Sequence, residues 1–186
     1  MKKLLLVAVM VLTSAMTFAQ QKEGTLTIQP KVGLNIASLT DFDDSDPRFG
    51  VVAGAEFMYQ ATDMVGLSFG ALYSMQGAKY DKTTTKLDYI NIPVLANVYV
   101  APGFAVKLGL QPGFNVNSKA KAKGNGGAVE ADIDAKTVDL SIPIGLSYEF
   151  SNFVIDGRYN WGLTKVAKDS DCKNSVFQIT LGYKLP

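Results

Sequence analysis

The 186-residue chain carries 18 Lys and Arg against 17 Asp and Glu, a formal charge of +1, with no histidine and one cysteine. This balance excludes the strongly basic surface of a nucleic-acid-binding protein. Without histidine, Ser-His-Asp and Cys-His catalysis and His-ligated metal sites are also excluded. We therefore predict no enzyme, no metal site, no cofactor and no nucleic-acid partner. The single cysteine cannot form an internal disulfide.

The N-terminus has the pattern of a secretory signal peptide. Lys2-Lys3 supply positive charge, Leu4–Leu12 form an apolar core, and Thr17-Phe18-Ala19 offer a small-residue cleavage site. The apolar core is short for a transmembrane helix, so an N-terminal anchor is the weaker alternative. We predict a signal peptide over residues 1–19 and one domain over residues 20–186. Its 167 residues would carry 16 basic and 17 acidic groups.

The predicted domain repeats an alternation of apolar and polar residues in segments of about ten to fourteen residues. In the first segment, Leu26, Ile28 and Val32 share one face, and Gln29 and Lys31 share the other. An even number of such strands can close an up-and-down barrel without leaving an edge. In chain order the eight segments are residues 26–36, 49–60, 65–76, 89–100, 104–117, 138–150, 153–164 and 177–185.

The connections between the segments alternate in length. Three short turns are predicted at residues 61–64, 101–103 and 151–152, and longer polar loops at residues 38–48, 81–86, 118–136 and 169–174. Short turns at one rim and longer loops at the other are typical of outer-membrane barrels. Cys172 lies in the last long loop and is predicted to be an incidental loop thiol.

Alternation alone does not say which face of the strands points outward. A soluble lipocalin-like carrier would turn the apolar face inward. The polar faces are rich in Gly, Ser and Asn, which suits a narrow, filled interior. Aromatic residues gather near both ends of the segments, as expected where a barrel crosses two membrane interfaces. We therefore predict an all-β, eight-stranded antiparallel transmembrane β-barrel with its apolar face in lipid.

This orientation would place the charged residues of the polar faces in the barrel lumen. An eight-stranded barrel has room for side chains and little else. We therefore predict an ion-pair network that fills the lumen, with Arg158 paired to Glu56 or Asp156; a charged filter for ions or small solutes is the alternative. The residues concerned are Lys31, Glu56, Lys107, Asp139, Glu149, Asp156, Arg158 and Lys184.

Two charged clusters fall in the predicted long loops. The first is Asp41, Asp43, Asp44 and Asp46. Closely spaced carboxylates can bind calcium, but the EF-hand glycine and final glutamate are missing, so a solvated acidic loop is favoured. The second is Lys119, Lys121 and Lys123, which could contact lipid phosphates or a polysaccharide through charge. A flexible loop is the favoured alternative.

Four stretches give the chain a likeness to a known family. They are Pro30–Asn35, Ala71–Ala78, Leu87–Leu95 and Gly157–Thr164. With these motifs the chain resembles the small PorT-like, porin-family outer-membrane β-barrel proteins, over essentially its whole mature length. The resemblance implies an eight-stranded barrel in the outer membrane and no defined substrate.

The function predicted from these patterns is a structural anchor or surface-interaction protein. Outer-membrane lipid would surround the barrel, a monomer is expected, and the loops would meet extracellular or envelope partners. Two alternatives stay open. One is a soluble lipocalin-like carrier of a hydrophobic ligand, and the other is a narrow diffusion channel.

Overall fold

The computed structural model describes residues 22–40, 46–80, 83–124, 127–133, 135–166 and 172–185. The predicted signal peptide lies outside these residues. Among the residues described, no helix is long and apolar enough to cross a membrane. Ten strands account for the regular structure: β1 (Leu26–Leu39), β2 (Asp46–Gln60), β3 (Val65–Tyr80), β4 (Thr83–Asn91), β5 (Val94–Ala101), β6 (Phe104–Gly124), β7 (Gly127–Asp132), β8 (Val138–Phe150), β9 (Phe153–Lys165) and β10 (Lys173–Tyr183).

These ten strands form eight positions around a closed barrel. β4 and β5 are two halves of one barrel strand, because both pair with β3 on one side and β6 on the other. The break falls at Ile92-Pro93, where proline cannot donate a ladder hydrogen bond. β7 pairs with β6 beyond the barrel wall. The predicted count of eight barrel strands is confirmed.

The barrel closes between its first and last strands. β1 runs antiparallel to β10 with Lys31 opposite Gly182 and Leu39 opposite Asn174. All other neighbouring pairs are antiparallel as well. Closure gives each wall strand two hydrogen-bonded neighbours, which removes the free edge that makes open sheets prone to aggregate. Leu185 extends the closure through a bridge to Ile28.

The strands turn their apolar face outward. On β1, Leu34 is 59% exposed while the next residue, Asn35, is 0% exposed. The same alternation continues around the barrel, where Leu108 and Ile144 are exposed and Lys107 is buried. A polar interior behind an apolar exterior is the arrangement expected in lipid. It contradicts the lipocalin-like alternative, which requires the reverse.

Tight turns join the strands at one end, called here the short-turn rim. Gly103 adopts φ 71° between β5 and β6, and Ser151 adopts φ 52° between β8 and β9. A Cβ on Gly103 would come 2.5 Å from the carbonyl oxygen of Glu149, so this turn needs glycine. Aromatic rings gather at the same rim, where Phe153 lies 5.2 Å from Tyr183 between centroids.

The opposite end, called here the long-loop rim, contains more strand than the alternation predicted. The predicted loop over residues 118–136 is mostly a β-hairpin, because β6 continues to Gly124 and pairs with β7. In its sequence, Ser118-Lys119-Ala120-Lys121-Ala122, small residues and lysines alternate with the period of a strand. The lysines made a polar loop the expected structure. The loop predicted at residues 81–86 is shortened likewise, because β4 begins at Thr83.

Candidate functional site

Five charged residues meet inside the barrel and are called here the central cluster. They come from four strands, and each is at most 3% exposed. Period-two alternation on each strand turns these positions inward, and closure of the barrel brings the four strands face to face. The cluster consists of Lys31 on β1, Glu56 on β2, Lys107 on β6, and Asp156 and Arg158 on β9.

Asp156 contacts all three cations of this cluster. Arg158 donates from Nε to Asp156 Oδ1 at 2.9 Å and from Nη2 to Oδ2 at 2.8 Å. Lys107 Nζ donates to the same Oδ2 at 2.5 Å, and Lys31 Nζ lies 3.4 Å from it. Such charge-assisted, bidentate contacts are the strong hydrogen bonds of proteins. One carboxylate therefore binds three cations from three strands.

Glu56 completes the cluster from the other side of the lumen. Lys31 Nζ donates to Glu56 Oε2 at 2.5 Å, and Arg158 Nη2 lies 2.9 Å from Glu56 Oε1. The structure thus brings together five of the eight lumen residues selected from the sequence, and Arg158 contacts both predicted partners.

Glycines opposite the long side chains make room for the cluster. Gly145 faces Arg158 across the β8–β9 pair, and Gly70 faces Glu56 across β2–β3. A Cβ on Gly145 would lie 2.7 Å from the Arg158 Cβ, and one on Gly70 would lie 2.6 Å from the Glu56 Cα. The two glycines therefore let the neighbouring strands approach closely beside Arg158 and Glu56.

A second buried group lies near the short-turn rim. Tyr99 Oη donates to Glu149 Oε1 at 2.7 Å, and Lys184 Nζ donates to Glu149 Oε2 at 2.8 Å. Lys184 directly follows the last strand, β10, so this ion pair ties the end of the chain to the lumen side of β8. Its position next to the β1–β10 closure indicates a structural role.

Asp139 lies apart from the central cluster, toward the long-loop rim. Its carboxylate accepts hydrogen bonds from Thr164 Oγ1 at 2.6 Å and from Asn174 Nδ2 at 3.2 Å. Among the ion pairs of the described residues, none includes Asp139. The sequence placed Asp139 on the correct face but did not show its depth in the barrel.

Sequence reasoning missed a polar group around Asp88. Asn117 Nδ2 donates to its carboxylate at 2.8 Å, Tyr73 Oη donates at 3.1 Å, and Arg48 Nη1 lies 3.4 Å away. Strict alternation from Tyr89 would turn Asp88 outward, but both residues are buried, at 5% and 1% exposed. The register shift here places its extra residue, Val116, on β6 and leaves the alternation of β4 unbroken. Asp88 is buried because the side chains that contact it cover it.

Mostly apolar side chains from strands on different sides of the barrel pack together near the long-loop rim and are called here the mouth cluster. Leu87 is 0% exposed, Tyr89 1% and Val166 8%. Packed against them are Leu39, Ile133 and Ala135. Cys172, predicted to be an incidental loop thiol, lies just before β10 and is buried, at 6% exposed, and its carbonyl accepts a hydrogen bond from Val166 N.

The acidic loop predicted from the sequence is only partly described. Asp41, Asp43 and Asp44 lie outside the described residues. Asp46 is exposed and begins β2, opposite Lys79 on β3. Within the described ranges, no group of three or more His, Cys, Asp or Glu residues is placed to hold a metal ion.

The predicted lysines of the long-loop rim lie on a hairpin and face acidic residues. Lys119 lies opposite Asp132, and Lys121 lies opposite Glu130. Glu130 Oε1 is 2.9 Å from Lys86 Nζ and 3.3 Å from Lys121 Nζ. The side chain of Lys123 lies outside the described part. The pairing of β6 with β7 replaces the predicted loop by a hairpin, and its acidic residues offset part of the positive charge of the lysines.

Glu130 offers a test of the hairpin contacts by pH. The hydrogen bond from Lys86, with a second from Lys121, lowers the pKa of Glu130 from its usual 4.5. A lowered pKa means that the contact is intact above pH 4.5 and is lost as the pH falls through the folded-state pKa. We expect a carboxyl ¹³C NMR titration midpoint below 4.5. Lys86→Met should move the midpoint upward, and a wild-type midpoint at or above 4.5 would contradict the contact.

Comparison with solved structures gives matches to small outer-membrane barrels. The chain is 17% identical to Ail, the attachment invasion locus protein of Yersinia pestis, covering 88% of this chain and 99% of Ail, with a TM-score of 0.53. It is 18% identical to Neisserial surface protein A, covering 86% and 97%, with a TM-score of 0.57. At this identity the likeness shows the fold.

A comparison with curated proteins gave no match. A family profile described as "Outer membrane protein beta-barrel domain" matches residues 18–168, which is most of the chain. The matched region includes β1 to β9 and the whole central cluster. The closed barrel, its apolar exterior and this match agree, and the chain is an outer-membrane protein that belongs to the family of outer membrane protein beta-barrel domains.

Proposed function

We propose that this protein is a non-enzymatic, monomeric membrane anchor of the PorT-like type that presents its long-loop rim at the cell surface for interaction with envelope or extracellular partners. The observation that carries the proposal is the filled lumen. The central cluster occupies the barrel interior, and the mouth cluster packs across the lumen toward the long-loop rim. Because the barrel is filled by side chains and surrounded by lipid, the exposed rim is the surface that a partner can bind.

The β6–β7 hairpin, residues 118–132, is the surface most suited to this role. It continues beyond the β6–β8 pairing, whose last register pair is Phe114 with Val138. Its described side chains combine charge, as in Lys121 and Glu130, with an exposed apolar residue, Val129, at 71% exposed. Charged residues of both signs in fixed register favour a protein partner with a complementary charge pattern over a simple polyanion.

The structural match to Ail includes a structure with a heparin analogue, sucrose octasulfate. That ligand belongs to Ail. On the hairpin of this chain, Glu130 and Asp132 lie opposite Lys121 and Lys119 and offset part of their charge. Lys86 and Lys121 share one acidic partner, Glu130, at 2.9 and 3.3 Å. For this rim we therefore favour a protein partner over a sulfated polysaccharide.

A conductance measurement distinguishes the proposed anchor function from that of a narrow diffusion channel. The folded protein is inserted into planar bilayers, and ion current is recorded for the wild type and for Arg158→Gln. Because the lumen is filled, we expect no stable single-channel current from the wild type. A steady wild-type conductance that changes with Arg158→Gln would contradict the anchor and favour a charged filter.

A second measurement tests presentation at the surface. Intact cells are treated with trypsin, which cuts after lysine and arginine, and the barrel fragments are identified by mass spectrometry. We expect cleavage within residues 118–133 and none at Lys31 or Lys107. The control replaces residues 118–133 with a short turn, which should still give a barrel whose gel mobility shifts on boiling. Failure to cut the hairpin in intact cells, with cutting after lysis, would contradict its exposure.

A further inference from the structure

The central cluster carries one more positive than negative group. Lys31, Lys107 and Arg158 are cations, while Glu56 and Asp156 are anions. Their side chains are at most 2% exposed, so bulk water does not screen the excess charge. A buried charge without a counter-charge is strongly unfavourable, and such charges are normally paired.

The other charged groups of the lumen do not supply the missing negative charge. Glu149 is paired with Lys184 at 2.8 Å, and Asp88 with Arg48 at 3.4 Å. Asp139 stands six residues along β8 from Gly145, the residue opposite Arg158. At the rise of a β-strand this separation is roughly 20 Å. The excess charge of the central cluster is therefore local.

Three unpartnered donors lie on the two adjacent strands beside the same point. Arg158 Nη1 is buried without a hydrogen-bond partner among the described residues, and so are Gln178 Nε2 and Thr180 Oγ1. Gln178 lies directly opposite Arg158 in the β9–β10 pairing, and Thr180 lies opposite Asp156. Directly opposed residues on antiparallel strands have Cβ atoms about 5 Å apart. Three donors from two adjacent strands thus lie beside the excess charge.

The amide of Gln178 is oriented by a neighbour. Asn160 Nδ2 donates to Gln178 Oε1 at 3.4 Å, so the carbonyl end of Gln178 has a partner while its NH₂ end has none. Arg158 is likewise fixed, because Nε and Nη2 both bind Asp156. Only Nη1 of its guanidinium is left to donate. Two of the three unused donors therefore belong to side chains whose other polar atoms are already hydrogen-bonded.

We propose that the lumen binds one small inorganic monoanion of the halide class, held by Arg158 Nη1 and Gln178 Nε2 with the Thr180 hydroxyl beside them. A single negative charge would balance the cluster and accept the unused hydrogen bonds. Water could accept the same hydrogen bonds but could not balance the charge. The bound anion would stabilise the arrangement of charged side chains in the barrel interior. It would not be transported, because the mouth cluster packs across the lumen.

The first test locates the anion. The refolded wild-type barrel is crystallised in sodium bromide, and anomalous scattering is measured at the bromine edge. We expect a bromide peak inside the barrel, in contact with Arg158 Nη1 and Gln178 Nε2. A peak confined to the protein surface, or no peak, would overturn the proposal and leave water as the acceptor.

The second test measures the energetic linkage. Urea unfolding is followed in sodium chloride and in sodium gluconate at equal ionic strength. Chloride at ten times its dissociation constant should lower the unfolding equilibrium constant about elevenfold, and the effect should saturate. Identical unfolding in both salts would overturn the proposal and indicate that a lysine of the cluster is neutral.

Two lysine variants test whether the chloride dependence of unfolding comes from the excess positive charge of the central cluster. Lys107→Met removes the excess cation, so its unfolding should no longer depend on chloride. Lys184→Met removes a buried lysine outside the cluster, so it should keep the chloride dependence even if the barrel is less stable. If Lys107→Met retained the full chloride effect, the anion would not be compensating the central cluster.

Discussion

Replacing Asp156 with asparagine is expected to lower the free energy of unfolding of the barrel by about 3–5 kcal/mol, the usual cost of breaking a buried ion pair from one side. Asp156 binds Arg158 through both oxygens and Lys107 at 2.5 Å. Asparagine keeps the size of the side chain but removes the charge, so three buried cations would share the carboxylate of Glu56. The measurement is equilibrium unfolding in urea from lipid vesicles.

The control for this variant is Glu130→Gln, which removes a carboxylate from an exposed ion pair with Lys86. Because water screens an exposed pair, it should barely change the unfolding curve. A double variant tests whether unpaired buried cations cause the loss of stability. Adding Lys107→Met to Asp156→Asn removes one of these cations and should recover part of the lost stability. If Asp156→Asn unfolds like the wild type, the central cluster does not stabilise the barrel.

Replacing Leu108 with arginine is expected to cost about 2–4 kcal/mol, the cost of a charged residue on the lipid face near the bilayer midplane. Leu108 is 54% exposed on β6, between Phe104 near the short-turn rim and Phe114 toward the long-loop rim. The arginine would point into hydrocarbon, where its charge has no partner. The measurement is unfolding from lipid vesicles, with folding yield as a second readout.

The matched control is Val129→Arg on β7. Val129 is 71% exposed, more than Leu108, but it lies on the hairpin beyond the barrel wall. If water surrounds it, the arginine should change stability by less than about 0.5 kcal/mol. Equal and small effects at both positions would contradict a lipid-facing barrel, because exposure to water would then be the same at each.

Several features of the fold followed directly from local sequence. The alternation in residues 26–36 predicted both strand β1 and its two faces, because side chains of a strand point alternately to opposite sides. The short turns were equally readable, since Gly103 and Asn152 are typical turn residues. The charged positions of the polar face, such as Lys31 and Arg158, were identified because charges are rare in a segment that otherwise alternates cleanly.

Other features depended on pairings that the sequence does not show. Asp88 is buried by side chains of three other strands, Tyr73, Asn117 and Arg48, although alternation along β4 would leave it exposed. The strand character of residues 118–124 became visible only with β7 as partner. The separation of Asp139 from Asp156 reflects their different heights in the barrel, which depend on the stagger of all the strands.

By itself the sequence determined the eight wall strands, their two faces and most of the charged residues on the polar face, because these depend on neighbours along the chain. The tertiary structure decided how the charges converge on Asp156, how far Asp139 lies from them and where apolar residues pack across the lumen. Those properties depend on closure: only when β1 meets β10 do Lys31, Glu56, Lys107, Asp156 and Arg158 face one another across a space too narrow for bulk water.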